Sequence, residues 1–138
     1  MSAELNANED HQAYLCGRLL AMFDGLQYAA SGSGLNQTVA DRYYTLASTY
    51  PQLAFPKIED LGMKHLRKLR RDSPGAAVRI ERDMDEVRQR LGAVFPGALS
   101  LEEQGRFALG FHHQRANQIK RAMDAKEAKQ QKEQGVQA

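Results

Sequence analysis

Ser100–Arg115, SLEEQGRFALGFHHQR, contains a complete helix start. Ser100 stands at the N-cap position and Glu103 three residues later, the S-x-x-E spacing of a capping box. In that arrangement each side chain accepts a hydrogen bond from the other residue's otherwise orphaned backbone N–H. Phe95-Pro96-Gly97 interrupts whatever precedes it, so a helix is predicted from Leu101 onward. Its pattern runs past Lys120 and fades in Ala125–Ala138, AKEAKQQKEQGVQA. That tail favours helix but has almost no apolar face, and is expected to fray or to order only against a partner.

Four more segments, all before this helix, have helical period. Over Asp10–Ala30, Leu15, Leu19, Met22/Phe23 and Leu26 recur at helical spacing, and Ser31–Gly34, SGSG, ends the run. Thr38, with Asp41 three residues on, caps a second helix that turns Val39, Tyr43, Leu46/Ala47 and Tyr50 inward and stops at Pro51. A third is predicted from about Pro56 to Arg71, with Ile58, Leu61, His65/Leu66 and Leu69 as its apolar stripe. Ser73-Pro74 restarts the chain, Ser73 as N-cap and Pro74 at the first helical position, where a missing N–H does no harm. Ala77, Ile80, Met84, Val87, Leu91 and Val94 then alternate in steps of three and four. No strand and no internal repeat can be read. The expected fold is all-α, a single compact bundle of about five helices with a helical or frayed C-terminal tail. The bundle is assigned to residues 1–125 and the polar tail to 126–138.

The 138 residues suffice for one core, and 42% of them are apolar. No run approaches the ~18 apolar residues of a membrane span, and the polar start MSAELNANED does not read as a signal peptide. One cysteine, Cys16, excludes an internal disulfide and suits a reducing, cytoplasmic setting. It lies in an apolar helical pattern, as a small buried hydrophobe would.

The net charge of +2 is unevenly spread. The first thirty residues carry −3, residues 61–71 carry +5 with no acid, and residues 116–138 carry +2. On a helix Lys64, Arg67, Lys68 and Arg71 fall at i, i+3, i+4 and i+7 and share one face. An ordinary solvated face can also show such a run. The fourth helix provides the contrast: its Arg79, Arg82, Arg88 and Arg90 are interleaved with Glu81, Asp83, Asp85 and Glu86. Without that compensation, a phosphate backbone is the natural complement of the third helix. The absence of Asn and Gln from the cluster argues against base reading. Arg115, Lys120 and Arg121 form a second basic set on the fifth helix, where cations also occur simply because they suit a helix C-terminal half.

His112 and His113 are adjacent, about 100° apart on a helix, and Glu102 and Glu103 lie two to three turns away, so no metal site is expected. Gly17, Gly105 and Gly110 each cost about 1 kcal/mol inside a helix relative to Ala, which a close helix-to-helix approach would explain. No phosphate-binding loop, nucleophile elbow or Cys/His pair is present, so neither catalysis nor a cofactor is expected.

Read as a string from Phe95, F-P-G-x-L-S-L-E-E-Q-G-R-F-A-L-G-F-H-H-Q resembles the C-terminal end of the large subunit of type I-C CRISPR surveillance (Cascade) complexes. Ala13–Met22, AYLCGRLLAM, resembles the opening helix of that region, and Asp41-Arg42-Tyr43 followed by Phe55-Pro56 its second block. The much larger N-terminal part of such a subunit is missing here. The resemblance implies the Cascade small subunit, the same helical region translated separately from an internal start. It further implies a non-catalytic protein present in more than one copy, beside the backbone subunits and the large subunit. Its nucleic-acid partners would be the guide RNA–target DNA hybrid and the displaced DNA strand. The His-Gln pair of the family segment falls on His113 and Gln114 and marks them for packing or subunit contact. A different class of reading remains: a helical protein-interaction module whose basic face binds an acidic protein partner.

Overall fold

A computed structural model describes residues 4–32 and 37–137, with side chains through residue 135. Five helices follow one another, α1 (Gln12–Ser31), α2 (Val39–Thr49), α3 (Pro51–Asp72), α4 (Pro74–Leu91) and α5 (Leu101–Gln137). The described residues contain no strand, and the all-α bundle read from the sequence is what forms.

α1 is the axis of the molecule. Every residue from Ala13 to Phe23 is buried, not only the stripe read from the sequence. A helix apolar around its whole circumference must be wrapped by others. His11 caps it, Nδ1 accepting from the Ala13 N–H at 3.2 Å. Gly32 ends it at φ +76°, a left-handed conformation that favours glycine, with its N–H donating to the Tyr28 carbonyl. The rest of the SGSG stretch lies outside the described residues.

α2 begins as expected, with Thr38 and Asp41 exchanging capping bonds of 3.1 and 3.2 Å. Two further N–H groups of its first turn, on Val39 and Ala40, donate to Gln27 Oε1 and Asp24 Oδ1 of α1 at 2.8 and 3.0 Å. Donors that helix geometry leaves unpaired are thus used to fix α2 on α1. Tyr50, expected inward, is 49% exposed because it is the shared cap between α2 and α3.

α3 starts at Pro51, five residues earlier than the sequence pattern implies, and carries Pro56 inside. Pro51 is harmless at the first position. Tertiary packing outweighs the bond Pro56 cannot make: Ala54, Phe55 and Ile58 are fully buried, and the Gln52 N–H donates to the Pro96 carbonyl at 3.0 Å. That last bond, with Leu99 N–H to Thr49 O at 2.9 Å and Phe55 stacked on Phe95, ties the 92–100 connection to the α2–α3 corner.

Pro74 opens α4 as expected, but Ser73 makes no side-chain capping bond. Gly92 at φ +87° stops the helix after Leu91, so Val94 falls outside it and is 66% exposed. α5 opens with the Ser100–Glu103 capping box at 2.9 and 3.2 Å. It runs on as helix to Gln137, about 55 Å at 1.5 Å per residue, with every described side chain from Ile119 onward exposed.

The α1–α5 contact holds the bundle together. A Cβ on Gly17 would collide with the Phe107 carbonyl oxygen, and one on Gly110 with the Tyr14 carbonyl oxygen. The two glycines therefore bring the backbones of α1 and α5 directly together, as anticipated for them. Gly105, by contrast, has nothing within 4 Å of its would-be Cβ. α3 and α5 each rest on α1 and not on one another.

Removal of Gln130–Ala138 is expected to leave the fold intact, since the described side chains there are exposed and far from the core. The denaturation midpoint of the truncated chain should match the full chain to within ~0.5 kcal/mol. Early melting would show that the tail docks on the bundle.

Candidate nucleic-acid interface

The polar face of α3 is set by its buried one. Ile58, Gly62 and Leu69 turn into the core. Lys64, Arg67, Lys68 and Arg71 are thereby left outward, all four exposed. Among the described residues none of the four has a salt bridge or a hydrogen bond. Arg70, the fifth cation of the run, points elsewhere and is held by both oxygens of Glu81 at 2.8 Å. Glu81 of α4 therefore neutralises Arg70 on the flank of α3 next to it and pairs with none of the four cations on the outer face.

The α4 charges are less self-contained than their interleaving implies. Arg88–Asp85 at 2.8 Å and Arg90–Glu86 at 3.7 Å stay within the helix. Glu81 instead reaches Arg70, and Arg88 also clamps Glu59 of α3 at 2.9 and 3.0 Å. Burial opposes the Arg88 charge, but the bonds and charges of Glu59 and Asp85 outweigh it and hold its pKa above the ordinary value.

Sequence reasoning missed Lys57. It lies seven residues before Lys64 and fourteen before Arg71, so it belongs to the same helix face. It too is exposed and without an ion pair among the described residues. The heptad spacing was the available signal; a helix taken to start at Pro56 placed Lys57 at its frayed end. With it, the basic face is about 21 Å long. Asp60, also exposed, shares that face. Burial, then Lys68, push the pKa of His65 below the ordinary histidine value.

The second basic set is placed differently. Among the described residues Arg115 and Lys120 are exposed and without an ion pair, whereas Arg121 lies 3.8 Å from Asp83 of α4. All three are on α5, which does not touch α3, so the structure does not bring the two sets together on one face. His113 and Gln114 turn toward α1. The Tyr14 hydroxyl accepts from the Asn6 N–H and meets His113 Nδ1, each at 3.0 Å. Gln114, 4% exposed, accepts from Arg18 Nε at 3.0 Å and donates to Gln118, which in turn donates to the Ala21 carbonyl. These are three rungs of a polar ladder beside the glycine crossing.

Among the described residues no three His, Cys, Asp or Glu converge as donors to a metal ion, and no helix is long and apolar enough to cross a membrane. Cys16 is fully buried, which pushes its thiol pKa up to about 12 and leaves it uncharged.

A family model described as CRISPR-associated protein (Cas_Csd1) matches residues 1–119. The matched stretch holds the whole α3 face and the polar ladder through Gln118, and stops one residue before Lys120. No curated protein matches the chain significantly.

Proposed function

The chain belongs to the Csd1 family of CRISPR-associated proteins, and on that basis we propose that it is the non-catalytic small subunit of a type I-C surveillance complex. In this role base pairing between guide RNA and target strand reads the sequence, and the protein contributes backbone contacts alone. Exchange of a DNA duplex for an RNA–DNA hybrid is close to balanced, so modest phosphate contacts decide whether the opened state persists. The observation that carries the reading is the α3 face: Lys64, Arg67, Lys68 and Arg71, with Lys57 one step further, exposed and unpaired on a helix anchored through Ile58 and Leu69. Four like charges at helical neighbour spacing repel by a few tenths of a kcal/mol per pair. A polyanion laid along the face removes that repulsion. The target or the displaced strand would be held there without regard to its sequence.

The test replaces Lys64, Arg67, Lys68 and Arg71 together by Gln in the assembled complex. Helix propensity hardly changes, so folding and assembly should survive. Binding of guide-matched DNA should weaken to a similar degree for every sequence. The salt slope should fall by up to ~0.7 for each single-strand phosphate that the protein no longer neutralises. Adding Lys57→Gln should lower it once more. Unchanged affinity and slope at two salt concentrations, with normal subunit stoichiometry, would put the DNA path elsewhere. Loss of the subunit from the complex, with DNA binding otherwise unaltered, would instead identify the face as the contact for an acidic protein.

A further inference from the structure

α4 and α5 both rest on α1 with their backbones apart, bridged by the Arg121–Asp83 contact at 3.8 Å, so a seam runs between them with α1 as its floor. Arg18 lies in that floor, 7% exposed. Its Nε–H donates to Gln114 Oε1 at 3.0 Å. No other hydrogen bond or ion pair reaches it among the described residues. A guanidinium carries five N–H donors in a rigid fork, so four are left without a protein partner. Nor are they sealed off. Among the described residues the fully enclosed side-chain polar atom without a partner is His65 Nδ1, so the unbonded terminal amino groups of Arg18 keep some contact with the surface.

The groups that act on the Arg18 charge are Tyr14 of α1, Glu86 and Arg90 of α4, and Arg121 of α5. Arg90 is held by Asp10 at 3.2 Å and Glu86 at 3.7 Å, and Arg121 by Asp83 at 3.8 Å. Asp10 and Glu86 are 75% and 66% exposed, and contacts of this length at a surface contribute ~1 kcal/mol or less. Both rim arginines are therefore free to exchange partners. Arg18 is not in that position: its side chain is already withdrawn from water, its outward edge is unmet, and leaving a buried charge so poorly bonded is costly.

We propose that this seam is a phosphate site, in which the open edge of Arg18 takes two oxygens of a phosphoryl group while Arg90 and Arg121 close over it from α4 and α5. The planar fork matches two phosphoryl oxygens at once. The phosphoryl group is either a nucleic-acid backbone phosphate or free phosphate. The site shares no residue with the α3 face, so it stands or falls independently of the proposed role of that face.

Thermal melting of the intact chain tests the site, with inorganic phosphate as probe and sodium chloride at matched ionic strength as reference. At ten times its Kd, phosphate should raise Tm by ~3–6 °C. Phosphate also stabilises proteins by exclusion from their surface. Arg18→Met measures that background, and its Tm should show only the general effect. If Arg18→Met does not fold, Arg121→Gln, at an exposed rim position, should at least halve the specific rise. The Gln substitutions on α3 should leave the rise untouched. A ten-residue thymidine oligonucleotide that acts at far lower concentration than phosphate identifies the backbone as the source; phosphate alone acting identifies the free anion. Equal shifts in the wild type and both variants, or an equal shift with acetate, would overturn the proposal.

Discussion

Gly110→Ala is expected to destabilise the protein by about 3 kcal/mol, although alanine is the better helix former by about 1 kcal/mol. The added methyl meets the Tyr14 backbone: it overlaps the carbonyl oxygen and stands 2.9 Å from the carbonyl carbon and 3.1 Å from Cα. No rotamer change relieves a clash with main chain, so α1 and α5 have to move apart. That separation loosens Phe107 and Phe111, both buried where the helices cross, and the Tyr14–His113 and Arg18–Gln114 bonds beside them. Gly17→Ala should behave alike, since its Cβ meets the Phe107 carbonyl and stands 2.8 Å from the Phe111 nitrogen. Gly105→Ala is the control. It lies on the same helix as Gly110, exposed, with nothing within 4 Å, and should stabilise by up to ~1 kcal/mol. Urea denaturation should therefore give opposite signs for the two α5 variants. A Gly110→Ala protein as stable as the parent would show that the helices do not cross backbone to backbone.

Phe23→Ala should cost about 3–5 kcal/mol, the range for emptying a buried aromatic site. The ring is 2% exposed and joins three helices. It lies against Gly62 of α3 so closely that a Cβ there would overlap it, and the Arg88 guanidinium of α4 lies 5.5 Å from its centroid. Arg88 in turn clamps Glu59 of α3 as well as Asp85 of its own helix, so the ring supports the Arg88–Glu59 pair that joins α3 to α4. The cavity and the loosened clamp both lower stability. A double-mutant cycle separates this account from a general loss of packing. Gly62→Ala alone should destabilise by ~1–3 kcal/mol through overpacking. In the Phe23→Ala background it should cost little, because the ring it would strike is gone. Strict additivity of the two changes would show that Phe23 and Gly62 do not share that space.

The capping boxes at Thr38 and Ser100, the restart at Pro74 and the alternation of Ala77, Ile80, Met84, Val87 and Leu91 were all legible along the chain, and with them the helical class and most of the helix starts. These are interactions between residues three or four apart, and their physics is complete within one turn. The grouping of Lys64, Arg67, Lys68 and Arg71 on one face is of the same kind, and so was readable. Other features depended on what lies opposite. Pro51–Phe55 is helical because Phe55 and Ala54 find a core and the Gln52 N–H finds the Pro96 carbonyl. Three glycines looked alike in the sequence; two mark the crossing of α1 and α5, and the third faces open space. Spacing alone put Arg70 off the face of the other four cations between residues 61 and 71, but its partner, Glu81 of another helix, was supplied only by packing. Gly17 meets Phe107 and Arg18 meets Gln114 across some ninety residues. No local rule ranks such partners, because a contact at that separation exists only once the helices between have been placed. Which segments are helices and which faces are charged thus follows from near neighbours along the chain, whereas which charges, glycines and buried donors stay without a partner follows from how those helices pack.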